Sequence, residues 1–136
     1  MADEADNVAV VREAYEARER RDFPALLALL DPGVELDDPD LPGAGTFTGH
    51  DGVMRYLSEA LGGFERHRLE VEELIEADDR VVAAVHQTVR AGASEADIEL
   101  RDAHVWTLLD GRAVRIELYL DLDTALRAVG LGRANG

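Results

Sequence analysis

The stretch Val34-Glu35-Leu36-Asp37-Asp38-Pro39 determines how the rest of this chain is interpreted. Apolar and acidic residues alternate along it, which predicts a short β-strand with Val34 and Leu36 on one face. Pro39 lacks a backbone N–H, so the strand is expected to end at Asp38. A carboxylate at the end of a buried strand, beside a loop rich in Gly and Pro, is placed to face a cavity. Asp38 is therefore the first candidate for a reactive group.

The residues before this strand predict two helices. Apolar residues recur at helical spacing from Asp3 to about Arg21, and the charged residues between them, Arg18 included, are expected on the polar side. Asp22 is a natural N-cap for a short second helix with a buried stripe of leucines. The turn-forming segment Asp31-Pro32-Gly33 is expected to end that helix.

The residues after the strand predict a long loop, a third helix and then a sheet. The loop runs from Asp38 to about Gly49, and the third helix covers Val53–Leu61 and ends at Gly62-Gly63. The hydrophobic period then changes from helical spacing to two. This change predicts four long strands at about 68–77, 81–90, 98–109 and 113–122.

Local signals separate these strands. A slip in the alternation near Glu72-Glu73 predicts a bulge in the first of them. Asp78-Asp79 is expected to form a turn, and residues 91–94 are expected to form a second break. Asp123 is expected to cap a final helical turn, and the tail 130–136 is expected to be frayed.

Three helices followed by four long antiparallel strands form an α+β pattern. A curved, bulged sheet cannot fill its own concave side, so the three N-terminal helices are expected to cover it. The predicted architecture is thus a cone-shaped α+β barrel with an apolar interior. Without an internal repeat or a linker, residues 1–136 are expected to form a single domain.

Composition restricts the classes of partner. The chain has 14 basic and 29 acidic residues, a net charge of −15, and no basic stripe, so binding to nucleic acid or to anionic membranes is not expected. It has no Cys, no apolar signal region at its N-terminus and no apolar run of membrane-spanning length. These features favour a cytoplasmic protein. The glycines never form a phosphate-binding Gly-x-Gly-x-x-Gly loop, and no cofactor is expected.

The order of elements and several short motifs resemble the SnoaL-like branch of the nuclear-transport-factor-two-like superfamily. That group includes ketosteroid isomerases and polyketide cyclases. The matching segments are 21–23 between the first two helices, 34–39 as the first strand, 49–53 at the start of the third helix, and 109–117 as a turn and last strand. This resemblance implies the same cone-shaped fold over nearly the whole chain and a pocket for a small apolar ligand.

The resemblance also implies roles for single residues. Asp38 before Pro39 matches the general base of the ketosteroid isomerases. Those enzymes hold the substrate oxygen with a tyrosine of the first helix and a protonated aspartic acid. The matching positions here are Ala14 and Ala103, so both donors are missing. Tyr15 lies one helical residue away and could partly replace the tyrosine. Asp102 is one strand residue away, and a one-residue offset would turn it to the other face.

The family pattern places Ala103 and Val105 on the concave face of their strand. His104 and Trp106 are then expected on the outer face, where Trp106 would serve a homodimer contact together with Tyr119. Arg101 would share the pocket face with Ala103 and matches the arginine of the epoxide hydrolases. A buried arginine needs an anion, so Arg101 is the second candidate for function.

The remaining candidates are contacts to a substrate. The predicted substrate-binding side chains are Tyr56, His86, Val105, Ile116 and Leu118. For His86, a core or interface histidine is the alternative, and for Asp38 the alternative is a strand-ending residue that accepts loop N–H bonds. Hard oxygen and nitrogen ligands also cluster at Asp37, Asp38, Asp40, His50 and Asp51. Their spacing matches no known metal motif, so loop capping is preferred and no metal site is predicted.

Two functions follow as hypotheses. The first is a cofactor-independent isomerase, cyclase or dehydratase that acts on a small apolar carbonyl compound, with Asp38 as general base and Tyr15 and Arg101 beside it. The second is a non-catalytic ligand-binding or dimerisation module with the same pocket, because the positions Ala14 and Ala103 carry no oxyanion donor.

Overall fold

The computed structural model describes residues 4–38, 45–62, 66–90 and 96–131. The helices are α1 (Glu4–Glu19), α2 (Phe23–Ala28), α3 (Gly49–Gly62) and α4 (Leu122–Ala128). The strands are β1 (Leu30–Asp38), β2 (Gly45–Thr48), β3 (Arg66–Ala77), β4 (Arg80–Arg90), β5 (Ile98–Leu109) and β6 (Arg112–Tyr119). The α+β prediction is confirmed.

The strands form one curved, unclosed sheet in the order β2-β1-β6-β5-β4-β3. Neighbouring strands are antiparallel except for β1 and β6, which run parallel. The sheet is therefore mixed, whereas an antiparallel sheet was predicted. The two strands are separated by most of the chain, so no tight hairpin fixes their relative direction.

Several local predictions are confirmed. Asp22 caps α2 through a hydrogen bond from the Ala25 backbone N–H at 3.3 Å. The pairing of β3 with β4 shifts register between Val71 and Glu73, at the predicted bulge. Asp78 takes a positive φ of 59° in the turn between β3 and β4. These features depend on neighbours in sequence, which is why the sequence predicts them.

Other bounds differ from the prediction. Strand β1 begins at Leu30, not at Val34, and its register against β6 shifts between Leu30 and Glu35. This irregularity accommodates Pro32, which cannot donate to a neighbouring strand. Helix α4 is capped by Asp121 and not by Asp123, because the Asp121 side chain accepts a hydrogen bond from the Thr124 N–H at 2.8 Å.

Part of the predicted long loop is a strand. Residues 45–48 form β2, which pairs antiparallel with β1, so Asp38 lies opposite Gly45. Residues 39–44 of that loop lie outside the described part of the chain, as do the predicted break at 91–94 and residues 132–136 of the predicted frayed tail.

Both faces of the sheet are covered. Helices α1, α2 and α3 pack on one face, where the main core joins Val11 and Leu26 to Leu36 and Trp106. Helix α4 packs on the other face against β5, where a second cluster contains Val82, Ala103, Val105, Ala125 and Val129. Among the described residues, none of the helices is both long and apolar enough to cross a bilayer.

Candidate functional site

A cavity of about 290 Å³ lies between the sheet and the first three helices. Apolar side chains line most of it: Ala14, Leu26, Leu30, Leu36, Val53, Leu57, Leu69, Val89, Leu100, Ile116 and Leu118. Seven side chains with polar groups complete its wall: Tyr15, Arg18, Tyr56, His67, Gln87, His104 and Trp106. A mainly apolar cavity with a few polar groups is the usual form of a small-molecule site.

Tyr15 of α1 is the centre of a buried hydrogen-bond network. The Trp106 indole N–H donates to the Tyr15 hydroxyl oxygen at 2.8 Å, and that hydroxyl lies 2.6 Å from His104 Nδ1. An indole can only donate, so the Tyr15 oxygen accepts from Trp106, while the direction of the Tyr15–His104 hydrogen bond is set by the His104 tautomer. His104 Nε2 lies 3.3 Å from Asp102 Oδ2. The network thus links Trp106 through Tyr15 and His104 to Asp102.

The network continues to Gln87 and His67. The Gln87 amide N–H₂ donates to both Asp102 carboxylate oxygens at 3.0 Å, and His67 Nε2 lies 2.6 Å from Gln87 Oε1. Burial alone would raise the pKa of Asp102, but the hydrogen bond and the charge of His104, together with the hydrogen bonds from Gln87, outweigh burial and hold that pKa below its ordinary value. Asp102 is therefore ionised at neutral pH.

Tyr15 and Tyr56 are both held in their neutral form. Burial raises the pKa of Tyr15 well above its ordinary value. Burial also raises the pKa of Tyr56, and the negative charge of Asp38 and a hydrogen bond with its carboxylate add to that shift. Both phenols are thus proton and hydrogen-bond donors at neutral pH, and neither is a base.

Asp38 lies at the end of β1, beside this cavity. It is two residues beyond Leu36, so strand alternation places it on the cavity face, and it is half-buried. Asp38 is not one of the side chains that line the cavity, but its effect on the pKa of the cavity-lining Tyr56 places it next to that wall. The preceding Asp37 faces the other way, where its carboxylate accepts from Arg115 at 2.7 and 3.1 Å. The predicted difference between the two faces of this strand is confirmed.

Four of the predicted site side chains line the cavity: Tyr15, Tyr56, Ile116 and Leu118. Their predicted roles stay predictions. Arg18 also lines the cavity, although the sequence analysis placed it on the polar side of the first helix. Its position three residues after Tyr15 puts both on one helix face, which is the signal that could have identified it.

The predicted faces of β5 are wrong. His104 and Trp106 point into the cavity, whereas Ala103 and Val105 pack in the cluster under α4. Val105 therefore does not line the pocket. The small side chains on the outer face leave room for α4, and the large ones fill the space beside Tyr15. Because side chains alternate along a strand, one wrong assignment inverts all of them, and Asp102 is on the cavity face after all.

Arg101 and His86 also lie outside the cavity. They are directly opposite each other on β4 and β5. The Arg101 side chain is 65% exposed and forms an ion pair with Glu72 at 3.5 Å. His86 Nε2 contacts Glu99 Oε1 at 2.8 Å. Their predicted place in the pocket is wrong, for the same reason as for Val105: the face of β5 that carries Ala103 is the outer one.

Two other predictions concern partners. Trp106 is buried in the cavity, so it cannot serve the predicted contact on the outer face, and the homodimer stays a prediction. Two residues of the hard-ligand cluster noted in the sequence have other partners: Asp37 pairs with Arg115, and His50 Nε2 lies 3.0 Å from the Leu30 carbonyl oxygen. Within the part of the chain that the structure describes, no group of three or more His, Asp or Glu residues could hold a metal ion.

Comparison with known proteins identifies the family of this chain. The sequence profile of the SnoaL-like domain matches residues 11–116. An NTF2-like protein of unknown function from Burkholderia pseudomallei K96243 is 34% identical, over 96% of this chain and 99% of that chain, with a TM-score of 0.76. No curated protein matches the chain.

Two further solved structures are similar. TerC, co-crystallised with polyporic acid, is 28% identical over 91% of this chain and 97% of that chain, with a TM-score of 0.77. An NTF2-like protein from Burkholderia thailandensis E264 is 26% identical over 93% of this chain and 98% of that chain, with a TM-score of 0.75. With the profile match over most of its length, the chain belongs to the SnoaL-like domain family of the NTF2-like superfamily.

Proposed function

We propose that this protein binds a small, mostly apolar carbonyl compound in the cavity and moves a proton on it, with Asp38 as general base. The reaction class is that of a cofactor-independent isomerase, cyclase or dehydratase. The observation that carries this proposal is that Asp38 ends β1 two residues beyond the cavity-lining Leu36, is half-buried, and lies close enough to the cavity-lining Tyr56 to raise the pKa of that phenol.

The size of the cavity supports a compact ligand. Its volume is about 290 Å³. A cavity of about 150 Å³ accepts one benzene molecule, so a compound of one or two rings matches this space. The similarity to TerC, which was co-crystallised with polyporic acid, also supports a small-molecule site.

Proton abstraction next to a carbonyl needs a base and a donor for the oxygen that becomes negative. Asp38 supplies the base. Tyr15 supplies a donor, because burial keeps its hydroxyl protonated. The indole N–H of Trp106 polarises that hydroxyl, since a group that accepts one hydrogen bond donates the next more strongly. Tyr56 donates to Asp38 and orients its carboxylate.

Exchange of hydrogen for deuterium tests this proposal without knowledge of the natural substrate. The two-ring ketone 2-tetralone is incubated with the protein in D₂O, and loss of its α-proton signal is followed by NMR. We expect the wild-type protein to accelerate exchange over buffer, and Asp38→Asn to lose about 100-fold or more of that acceleration, as for removal of a general base.

Asp37→Asn is the matched control. It removes the same charge from the adjacent residue of β1, but on the opposite face, where Asp37 pairs with Arg115. Its exchange rate should stay close to that of the wild-type protein. Full exchange activity in Asp38→Asn would refute the role of Asp38 as base.

A non-catalytic binding protein is the second candidate. One observation favours it: the Tyr15 hydroxyl is already hydrogen-bonded to both Trp106 and His104, so a ligand oxygen competes with these partners for it. On this alternative the wild-type protein binds 2-tetralone in an NMR titration of the protein with the ketone and does not accelerate its exchange.

A further inference from the structure

Arg18 places a buried positive charge in the wall of the cavity. Its side chain is only 12% exposed, on the same face of α1 as Tyr15. Its Nη1 atom is fully buried and has no hydrogen-bond partner within residues 4–38, 45–62, 66–90 and 96–131. A buried guanidinium with unused N–H groups is costly, because the lost solvation is not replaced.

The neighbouring Glu19 does not satisfy this charge. Its Oε1 atom lies 3.5 Å from Arg18 Nη1, without the geometry of a hydrogen bond. The same oxygen accepts the backbone N–H of Leu69 at 3.1 Å, which ties Glu19 to β3. Burial lowers the pKa of Arg18, yet a guanidinium stays charged at neutral pH.

The other charged groups near the cavity are committed elsewhere. The Asp102 carboxylate is held by Gln87 and His104. The Asp38 carboxylate accepts from Tyr56. Burial lowers the pKa of His67, and the charge of Arg18 adds to that effect, so His67 is not a second cation at neutral pH. Among the described residues that line the cavity, Arg18 is thus the group with a permanent positive charge.

We propose that Arg18 binds a negatively charged oxygen of the ligand, a carboxylate or an acidic enol, and so selects anionic over neutral compounds of equal size. This inference rests on the proposed function, since it needs a ligand in the same cavity. The remainder of the ligand lies against the leucines and valines of the wall. Arg18, Tyr15 and Tyr56 line the same cavity, so an anionic oxygen bound by Arg18 shares that cavity with both phenols.

The acidity of the chain as a whole makes this local charge necessary. With a net charge of −15, the protein repels anions at long range. An anion gains affinity only from a nearby, desolvated cation, where the interaction is strong and little screened by salt. A planar guanidinium fits a carboxylate through two parallel hydrogen bonds.

Binding of two isosteric probes tests the inference. Calorimetry compares 2-naphthoate with 2-naphthamide, which share the two-ring body and differ in charge. We expect the wild-type protein to bind the carboxylate about 10-fold to 100-fold more tightly, the usual range for a hydrogen bond to a charged group. Arg18→Gln should lose this preference while its affinity for the amide stays close to that of the wild-type protein.

Arg101→Gln is the matched control, because Arg101 carries the same charge on the outer face and is 65% exposed. It should retain the preference for 2-naphthoate. If the wild-type protein binds both probes equally, or Arg18→Gln keeps the preference, the inference is wrong while the cavity proposal stands.

If neither probe binds the wild-type protein, the cavity proposal itself fails, and the inference fails with it. The comparison of the two probes on the wild-type protein does not depend on the folding of any variant. Arg18→Lys provides a second check, because it keeps the charge and loses the planar fork, so part of the preference should remain.

Discussion

At the scale of single residues, one phenol hydroxyl organises the polar part of the cavity. Tyr15 accepts from Trp106 and shares a hydrogen bond with His104, and its ring packs edge-on against the Trp106 indole at a centroid distance of 5.3 Å. All three side chains are at least nine-tenths buried. The network therefore fixes the orientation of α1 against β5 as well as the position of a donor.

The change Tyr15→Phe should destabilise the fold. It leaves the Trp106 N–H and the His104 Nδ1 atom without their partner, at a cost of about 1–3 kcal/mol in the free energy of unfolding. Urea denaturation followed by circular dichroism measures it. Tyr119→Phe is the control, because the Tyr119 hydroxyl donates to Glu117 at the partly exposed outer face. An equal loss in the free energy of unfolding of the two variants would contradict the importance of the buried network.

At the scale of elements, helix α3 closes the cavity through its contact with β1 and β2. Gly52 in its first turns makes the close approach possible. A Cβ atom at this position would lie 3.0 Å from the carbonyl carbon of Phe47 in β2. The Phe47 ring packs edge-on against Tyr56, so the same contact positions the phenol that holds Asp38.

Gly52→Ala should therefore destabilise the protein by about 1–3 kcal/mol, the cost of overpacking. Helix propensity by itself would predict a gain of about 1 kcal/mol, so the sign of the change separates the two effects. Thermal unfolding measures it. Gly33→Ala is the control, since a Cβ there meets only the Asp31 carboxylate, at 3.4 Å. A stabilised Gly52→Ala variant would show that α3 and β2 are less closely packed than the 3.0 Å distance indicates.

At the scale of the whole molecule, the excess of negative charge destabilises the compact folded state. Twenty-nine acidic residues against 14 basic ones give a surface that repels itself at pH 7. The ion pairs Arg115–Asp37 and Arg101–Glu72 lie at the surface, where each contributes little to stability.

Salt should accordingly raise the Tm. Between about 0.01 M and about 0.1 M NaCl the Debye length falls from about 30 Å to about 10 Å, which screens the repulsion between surface carboxylates. We expect Tm to rise by about 2–5 °C in circular dichroism melts. The rise should shrink as the pH approaches the isoelectric point of about 4.5. A Tm that falls with salt at pH 7 would show that attractive ion pairs dominate.

The sequence by itself determined what local patterns encode. Apart from β2, the order of helices and strands follows from periodicity and turn chemistry, as do the Asp22 cap, the bulge in β3 and the bounds of β5. The placement of Asp38 on the face of Leu36, opposite Asp37, follows from the alternation in one short strand. These features depend on residues a few positions apart.

Only the tertiary structure decided which face of β5 meets the cavity. Residues 103–106 are all buried, because the cavity network lies on one side of the strand and α4 on the other. Hydrophobicity therefore does not distinguish the two faces, and a period of two fits either assignment equally well. The rotation of α1, which carries Arg18 into the wall beside Tyr15, was likewise decided by packing against the sheet.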